Sequence, residues 1–185
     1  MDFIAKPQRI LFVGMMGSGK STVGHATARR LGWFFFDSDE LVLAKTGRTV
    51  PEIFVESGES AMRDVERSVF IEALGAGNHS VVAVAGGVVL QFVDRTLLKE
   101  SGVVVWLRAR MPTLALRVGE GQGRPHLDVD PMKALAVLYE ERRPFYELVA
   151  DIVVDVDALT PEEVVQRVLD ESHFVRDDTS GATAN

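Results

Sequence analysis

The run Gly14-Met15-Met16-Gly17-Ser18-Gly19-Lys20-Ser21-Thr22 constrains this chain more than any other stretch of it. It follows a short apolar segment at 9–13 (RILFV) and opens into a segment of helical period at 20–31. That is the G-x-x-x-x-G-K-[ST] pattern in the strand–loop–helix context it requires. The glycines let the backbone curl so that successive N–H groups converge on phosphate oxygens. A helix starting near Gly19 adds about half a positive charge at its N-terminus. Gly17, Ser18, Gly19, Lys20, Ser21 and Thr22 are therefore expected to cradle the phosphates of a nucleotide. Lys20 would reach the β- and γ-phosphates, and the Ser21 hydroxyl would ligate Mg²⁺. A glycine-rich turn without a ligand is the alternative, and the flanking segments argue against it.

Apolar runs of four to six residues recur at 33–36, 80–85, 103–107 and 151–155. With 9–13 they make five expected strands, and their near-continuous Val, Ile and Phe suits a parallel sheet covered on both faces. Helical period is expected at 20–31, 38–45, 59–74, 112–118, 131–150 and 161–174. Asp130-Pro131 and Thr160-Pro161 each pair a capping residue with proline at the first helical position. This alternation predicts an α/β fold: a doubly wound, five-stranded parallel sheet of the P-loop NTPase type. One domain is expected over 1–176, with a polar, disordered tail at 177–185. The segment 119–130 (GEGQGRPHLDVD) is too long and glycine-rich for an idle connection, and is expected to form a lid.

Charge and composition narrow the partners. A net charge of −7 supplies no positive field for a nucleic-acid backbone. The absence of cysteine excludes disulfides and thiolate metal sites. No apolar run reaches the ~20 residues that span a bilayer. The N-terminal stretch lacks the features of a secretory signal, so a cytoplasmic protein without membrane attachment is expected. Nothing in the sequence demands more than a monomer.

Asp37-Ser38-Asp39 follows the second expected strand. Two carboxylates at the end of a strand beside the phosphate loop sit where ligands bind in open α/β sheets. Asp37 or Ser38 could equally cap the helix that follows. Arg63 and Glu66 lie one helical turn apart, either as an exposed surface pair or as an arginine held by its neighbour.

Taken in order, these motifs resemble the shikimate kinase family over about residues 9–170. The phosphate loop is followed by the aspartate pair, Gly47-Arg48, Ile53-Phe54, Gly58-Glu59, Arg63 with Glu66, Ala85-Gly86-Gly87, Arg124-Pro125 and Arg142-Arg143-Pro144-Phe145-Tyr146. The resemblance implies a fold like that of the nucleoside-monophosphate kinases, with substrate-binding helices at about 38–75. It implies transfer of the ATP γ-phosphate to the 3-hydroxyl of shikimate, with Mg²⁺. It makes Asp37 the carboxylate on the metal side and Asp39 the one that bonds the acceptor hydroxyls and takes the departing proton. Arg63 and Arg142 would grip the substrate carboxylate, with Gly86 and Gly87 in backbone contact. Arg124 would be the lid arginine that reaches the transferring phosphate, and Arg117 would flank the adenine. Guanidinium forks suit a carboxylate through paired, charge-assisted hydrogen bonds.

Three positions depart from the pattern: Ala85 at the first of three expected glycines, Met62 where phenylalanine is common, and His126 after the Arg-Pro of the lid. The other readings are a related small-molecule kinase acting on a hydroxy acid such as gluconate, and a nucleotide-binding regulator without catalysis. Retention of Arg63 and Arg142 argues against the first, and retention of Lys20, Asp37 and Asp39 against the second.

Overall fold

The computed structural model describes residues 8–118 and 131–174. Five strands, β1 (Arg9–Val13), β2 (Phe34–Asp37), β3 (Ser80–Ala83), β4 (Val103–Arg108) and β5 (Ile152–Asp155), form one sheet in the order β2-β3-β1-β4-β5. Every pairing is parallel. All residues of β1 and β3 are buried, so side chains on both faces of the sheet's centre are covered. The edge strand β5 instead alternates buried Ile152 and Val154 with exposed Val153 and Asp155. This is the expected α/β fold.

Seven helices are described: α1 (Lys20–Leu31), α2 (Ser38–Thr46), α3 (Val50–Gly75), α4 (Phe92–Ser101), α5 (Met111–Val118), α6 (Pro131–Val149) and α7 (Pro161–Ser172). α1 packs on α7 and α4 on α6. Trp106, Phe12, Phe70 and Tyr146 are the bulkiest fully buried side chains of the main core. A smaller apolar cluster of Val42, Ile53, Met62 and Val69 joins α2 to α3. Met62, placed where a phenylalanine is common, is therefore a filler of that cluster and is almost wholly buried.

The structure differs from the sequence reading in three places. Helix α3 begins at Val50, not at 59, because Thr49 and Glu52 cap each other's backbone N–H groups in a capping box. Its axis breaks at Gly58, whose φ of 82° is left-handed, and the second half starts at the position expected from sequence. Helix α4 was not expected at all. Its N-cap, Gln91, makes no capping bond, Phe92 and Val93 are exposed, and the buried position of its first turn belongs to Asp94, which pairs with Arg67 Nε at 2.8 Å. Those features scramble the apolar period. Finally, β3 ends at Ala83: the Ala85 N–H leaves the ladder and donates to Ser38 Oγ at 3.1 Å. The lid expected at 119–130, with Arg124 and His126, and the tail at 177–185 lie outside the described residues.

Register sets the stage for the site. Ala83 of β3 is aligned with Phe12 of β1 on one side and Asp37 of β2 on the other. Three neighbouring strands thus end at one level, and the segments after them, 14–19, 38–39 and 84–87, meet at the carboxyl edge of the sheet.

Candidate active site

The phosphate loop has the backbone that its glycines predict. Gly14, Gly17 and Gly19 adopt φ of 142°, 80° and 96°. A Cβ on Gly14 would lie 2.7 Å from the Leu107 carbonyl, whereas one on Gly19 would meet nothing closer than 4.0 Å. The first glycine is thus demanded by the fold, and the last by a concave loop that faces the cleft. Lys20 Nζ donates to the Gly14 and Met15 carbonyls, each at 3.0 Å, which holds the ammonium against the loop. Ser18 Oγ is buried within this loop with no hydrogen-bond partner. Arg117 lies on its rim, with Nη1 3.4 Å from the Gly17 carbonyl.

Asp37 caps α2 and also faces the phosphate loop. One carboxylate oxygen accepts the Asp39 and Glu40 N–H groups and caps α2. The other accepts the Ser21 hydroxyl at 2.6 Å. The capping bonds lock the carboxylate's orientation, so a hydroxyl and a carboxylate from different elements share one point beside the loop. Two such hard oxygens, completed by phosphate and water, are the donor set Mg²⁺ takes in phosphotransfer sites. A dedicated all-protein cage is not needed for that ion.

Across the cleft stand the two arginines. Arg63 Nη1 bonds Glu66 Oε2 at 2.7 Å and Nη2 bonds Glu59 Oε1 at 3.2 Å. Glu66 is 6% exposed, so this is no loose surface pair. Burial pushes the Glu66 carboxyl up; Arg63 opposes the rise and Asp39 adds to it. Burial alone would lower the Arg63 guanidinium, but Glu66 and Glu59 outweigh it and the net shift is upward. Arg142 is 5% exposed, and its Nε has no hydrogen-bond partner.

The glycines between the arginines are explained by contact. A Cβ on Gly87 would fall 2.0 Å from Arg63 Nη1, and one on Gly86 would lie 3.3 Å from Arg142 Nη1. The Tyr146 hydroxyl donates to the Gly86 carbonyl at 2.8 Å and holds this loop against α6. Burial pushes the Tyr146 phenol up to about 12, with Arg142 pulling the other way, so it remains a donor at neutral pH. Ala85 has ordinary backbone: among the described residues only His79 and His173 show positive φ without being glycine. Its methyl is accommodated without strain.

One cleft of about 500 Å³ is lined from Gly17 and Lys20 through Asp37 and Asp39 to Arg63, Gly87 and Arg142. Of the residues given a role from sequence, Arg124 lies outside the described residues, as does His126. Ser38 and Tyr146, which stitch the loops of the cleft together, were not singled out for the site. Tyr146 was legible as the last residue of the Arg142–Tyr146 run, while Ser38 had no signal beyond its place between two aspartates. Gly87→Ala offers a direct check on the contact geometry. The guanidinium of Arg63 must move to admit the methyl, and a displacement near 1 Å costs on the order of a hundredfold in a positioned site. The variant is expected to stay folded, because only the far end of a flexible side chain is in the way. Steady-state kinetics should show the loss in the acceptor's KM and not in that of ATP.

A parallel sheet with a phosphate loop after its central strand, facing a cationic pocket in the same cleft, defines the class of P-loop small-molecule kinases. The shikimate kinase family model matches residues 16–173. A shikimate kinase of Burkholderia lata is 43% identical over 161 residues, which cover 86% of this chain and 87% of that protein. One of Streptomyces coelicolor is 44% identical, covering 87% and 93%. A shikimate kinase structure from Acinetobacter baumannii, in complex with shikimate, superposes with a TM-score of 0.84 at 35% identity, covering 90% of this chain and 93% of that one. The chain belongs to the shikimate kinase family. It is an enzyme, an ATP-dependent phosphotransferase. A gluconokinase from Sinorhizobium meliloti, at 23% identity and a TM-score of 0.61, shares the fold alone.

Proposed function

We propose that this protein transfers the γ-phosphate of ATP to the 3-hydroxyl of shikimate, giving shikimate 3-phosphate and ADP. The observation that carries the reading is the shared cleft: two guanidinium groups, from Arg63 and Arg142, border the same crevice as the phosphate loop. A carboxylate seated between them would receive charge-assisted bonds worth about 1.5–3 kcal/mol each. Its ring hydroxyls would then face Asp39 and the nucleotide. Glu66 keeps Arg63 in place, and Gly86 and Gly87 keep the approach open.

The residues around the phosphate loop have the following roles in this reading. Backbone N–H groups of Gly17, Ser18 and Gly19, with Thr22, surround the phosphates, and Lys20 leaves the Gly14 and Met15 carbonyls to contact the β- and γ-phosphates. Ser21 and Asp37 would hold Mg²⁺, which when bound would neutralise the negative charge that develops during transfer. Asp39 orients the acceptor hydroxyl and receives its proton. Arg117 flanks the adenine. Arg124, which lies outside the described residues, is assigned to the transferring phosphate, whose charge a guanidinium would stabilise. Residues 1–176 act as one kinase domain, in the cytoplasm and as a monomer. No helix among the described residues is long and apolar enough to cross a membrane.

An ADP-release assay with shikimate, quinate and gluconate tests the acceptor. Shikimate is expected to turn over far faster than either alternative. Turnover of gluconate without shikimate would overturn the assignment, and ADP release equal in all three and in buffer would mean hydrolysis without transfer.

A further inference from the structure

We infer that Arg95 is a positioning residue for the acceptor pocket, fixing the Gly86–Gly87 backbone and the Arg142-bearing helix relative to each other. The inference rests on the reading of Arg63 and Arg142 as the carboxylate clamp. Arg95 lies in the first turn of α4 and is not among the residues that line the cleft. Its Nη1 donates to the Val89 carbonyl at 2.7 Å and the Leu90 carbonyl at 2.9 Å. Those carbonyls belong to the short 3₁₀ turn Val88–Leu90, which starts directly after Gly87. The same guanidinium lies over the Phe145 ring, 4.3 Å from its centroid. Phe145 stands in α6 between Arg142 and Tyr146, and the Tyr146 hydroxyl holds the Gly86 carbonyl.

These contacts close a circuit. From Arg95 it passes through the Val89 and Leu90 carbonyls to Gly87 and Gly86, then through Tyr146 to Phe145 and back to the guanidinium. The pocket's backbone floor and one of its two arginines hang on opposite sides of that loop. Helix α6 needs such a tie. Pro144 lies inside it, where the missing N–H and the ring's bulk weaken the turn from which Arg142 projects. Arginine suits the task because a planar cation can cover a ring with its face while donating in its plane. A lysine ammonium can do one or the other well.

The test is a kinetic split on the purified full chain, with ADP release as the readout and urea unfolding as the check on folding. Arg95→Ala is expected to raise KM for shikimate about tenfold, with kcat and KM for ATP within about twofold of the parent. Arg95→Lys should restore part of the loss, to about threefold above the parent, because it keeps a cation and a donor. If Arg95→Ala does not fold, Arg95→Met, which keeps the stem packing and loses both carbonyl bonds, is read in its place. A folded variant whose KM for shikimate stays within about twofold, or whose two KM values rise together, would show a merely structural arginine and overturn the inference. Arg63→Ala, run in parallel, separates the two levels. If it raises KM for shikimate while Arg95→Ala does not, only the positioning role fails. If Arg63→Ala leaves that KM unchanged, the clamp reading fails and the inference with it.

Discussion

Asp39→Asn is expected to lower kcat by about 10²–10⁴-fold, the range that a positioned general base contributes. The substitution keeps size and shape, and the α2 cap survives because it is made by the Asp37 side chain to the Asp39 and Glu40 backbone. Loss of a negative charge in the first helical turn costs only about 0.3–1 kcal/mol. Circular dichroism and the unfolding midpoint should therefore change little while turnover collapses. Glu66 lies close enough for Asp39 to raise its titration, so the substitution should also ease ionisation of Glu66 and tighten its hold on Arg63. That side effect works against a loss in shikimate binding, so kcat is expected to fall far more than KM rises. Near-normal turnover would remove Asp39 from the chemistry.

Arg142→Ala should have the largest effect on the acceptor, a drop in kcat/KM for shikimate of about 10²–10³-fold. It removes both bonds that a buried fork gives to a carboxylate, and KM should carry most of the change. Arg142 is 5% exposed and packs near the Tyr146–Gly86 contact, so the alanine also leaves a void. Arg142→Lys controls for this. It keeps charge and most of the volume but loses the fork, and should still fall well below the parent on shikimate while KM for ATP is nearly preserved. Equal losses on both substrates would contradict a role confined to the acceptor.

How far the sequence could be read depended on whether each signal was local. The phosphate loop was legible because its function requires glycines and a lysine at fixed spacing within one turn. The Thr160 cap with Pro161 behind it was legible for the same reason, and α7 begins there. The Thr49–Glu52 capping box was equally local and still missed, since Gly58 made 59 look like the natural start of the helix. Helix α4 was hidden by a cause no local pattern reveals. The first of its buried positions holds Asp94, which becomes acceptable only when Arg67, a residue of α3, comes to pair with it.

The arginines draw the boundary most clearly. Arg9, Arg63 and Arg142 look alike as letters. In the fold, Arg9 is spent on Ser80, Ser101, Leu74 and Gly77 and has its pKa lowered by burial. Arg63 is braced by Glu66, and Arg142 stands buried at the other wall of the cleft. By itself the sequence determined the strand-and-helix alternation, the phosphate loop and, through resemblance, which family to expect. Tertiary structure alone decided that a side chain at Gly87 would displace Arg63, that Asp37 divides its two oxygens between a helix cap and Ser21, and that Arg95 reaches both the loop and α6. The physical reason is that spacing along a chain specifies geometry only within a turn or two, whereas contacts between residues tens of positions apart depend on where strands end and how helices pack upon them.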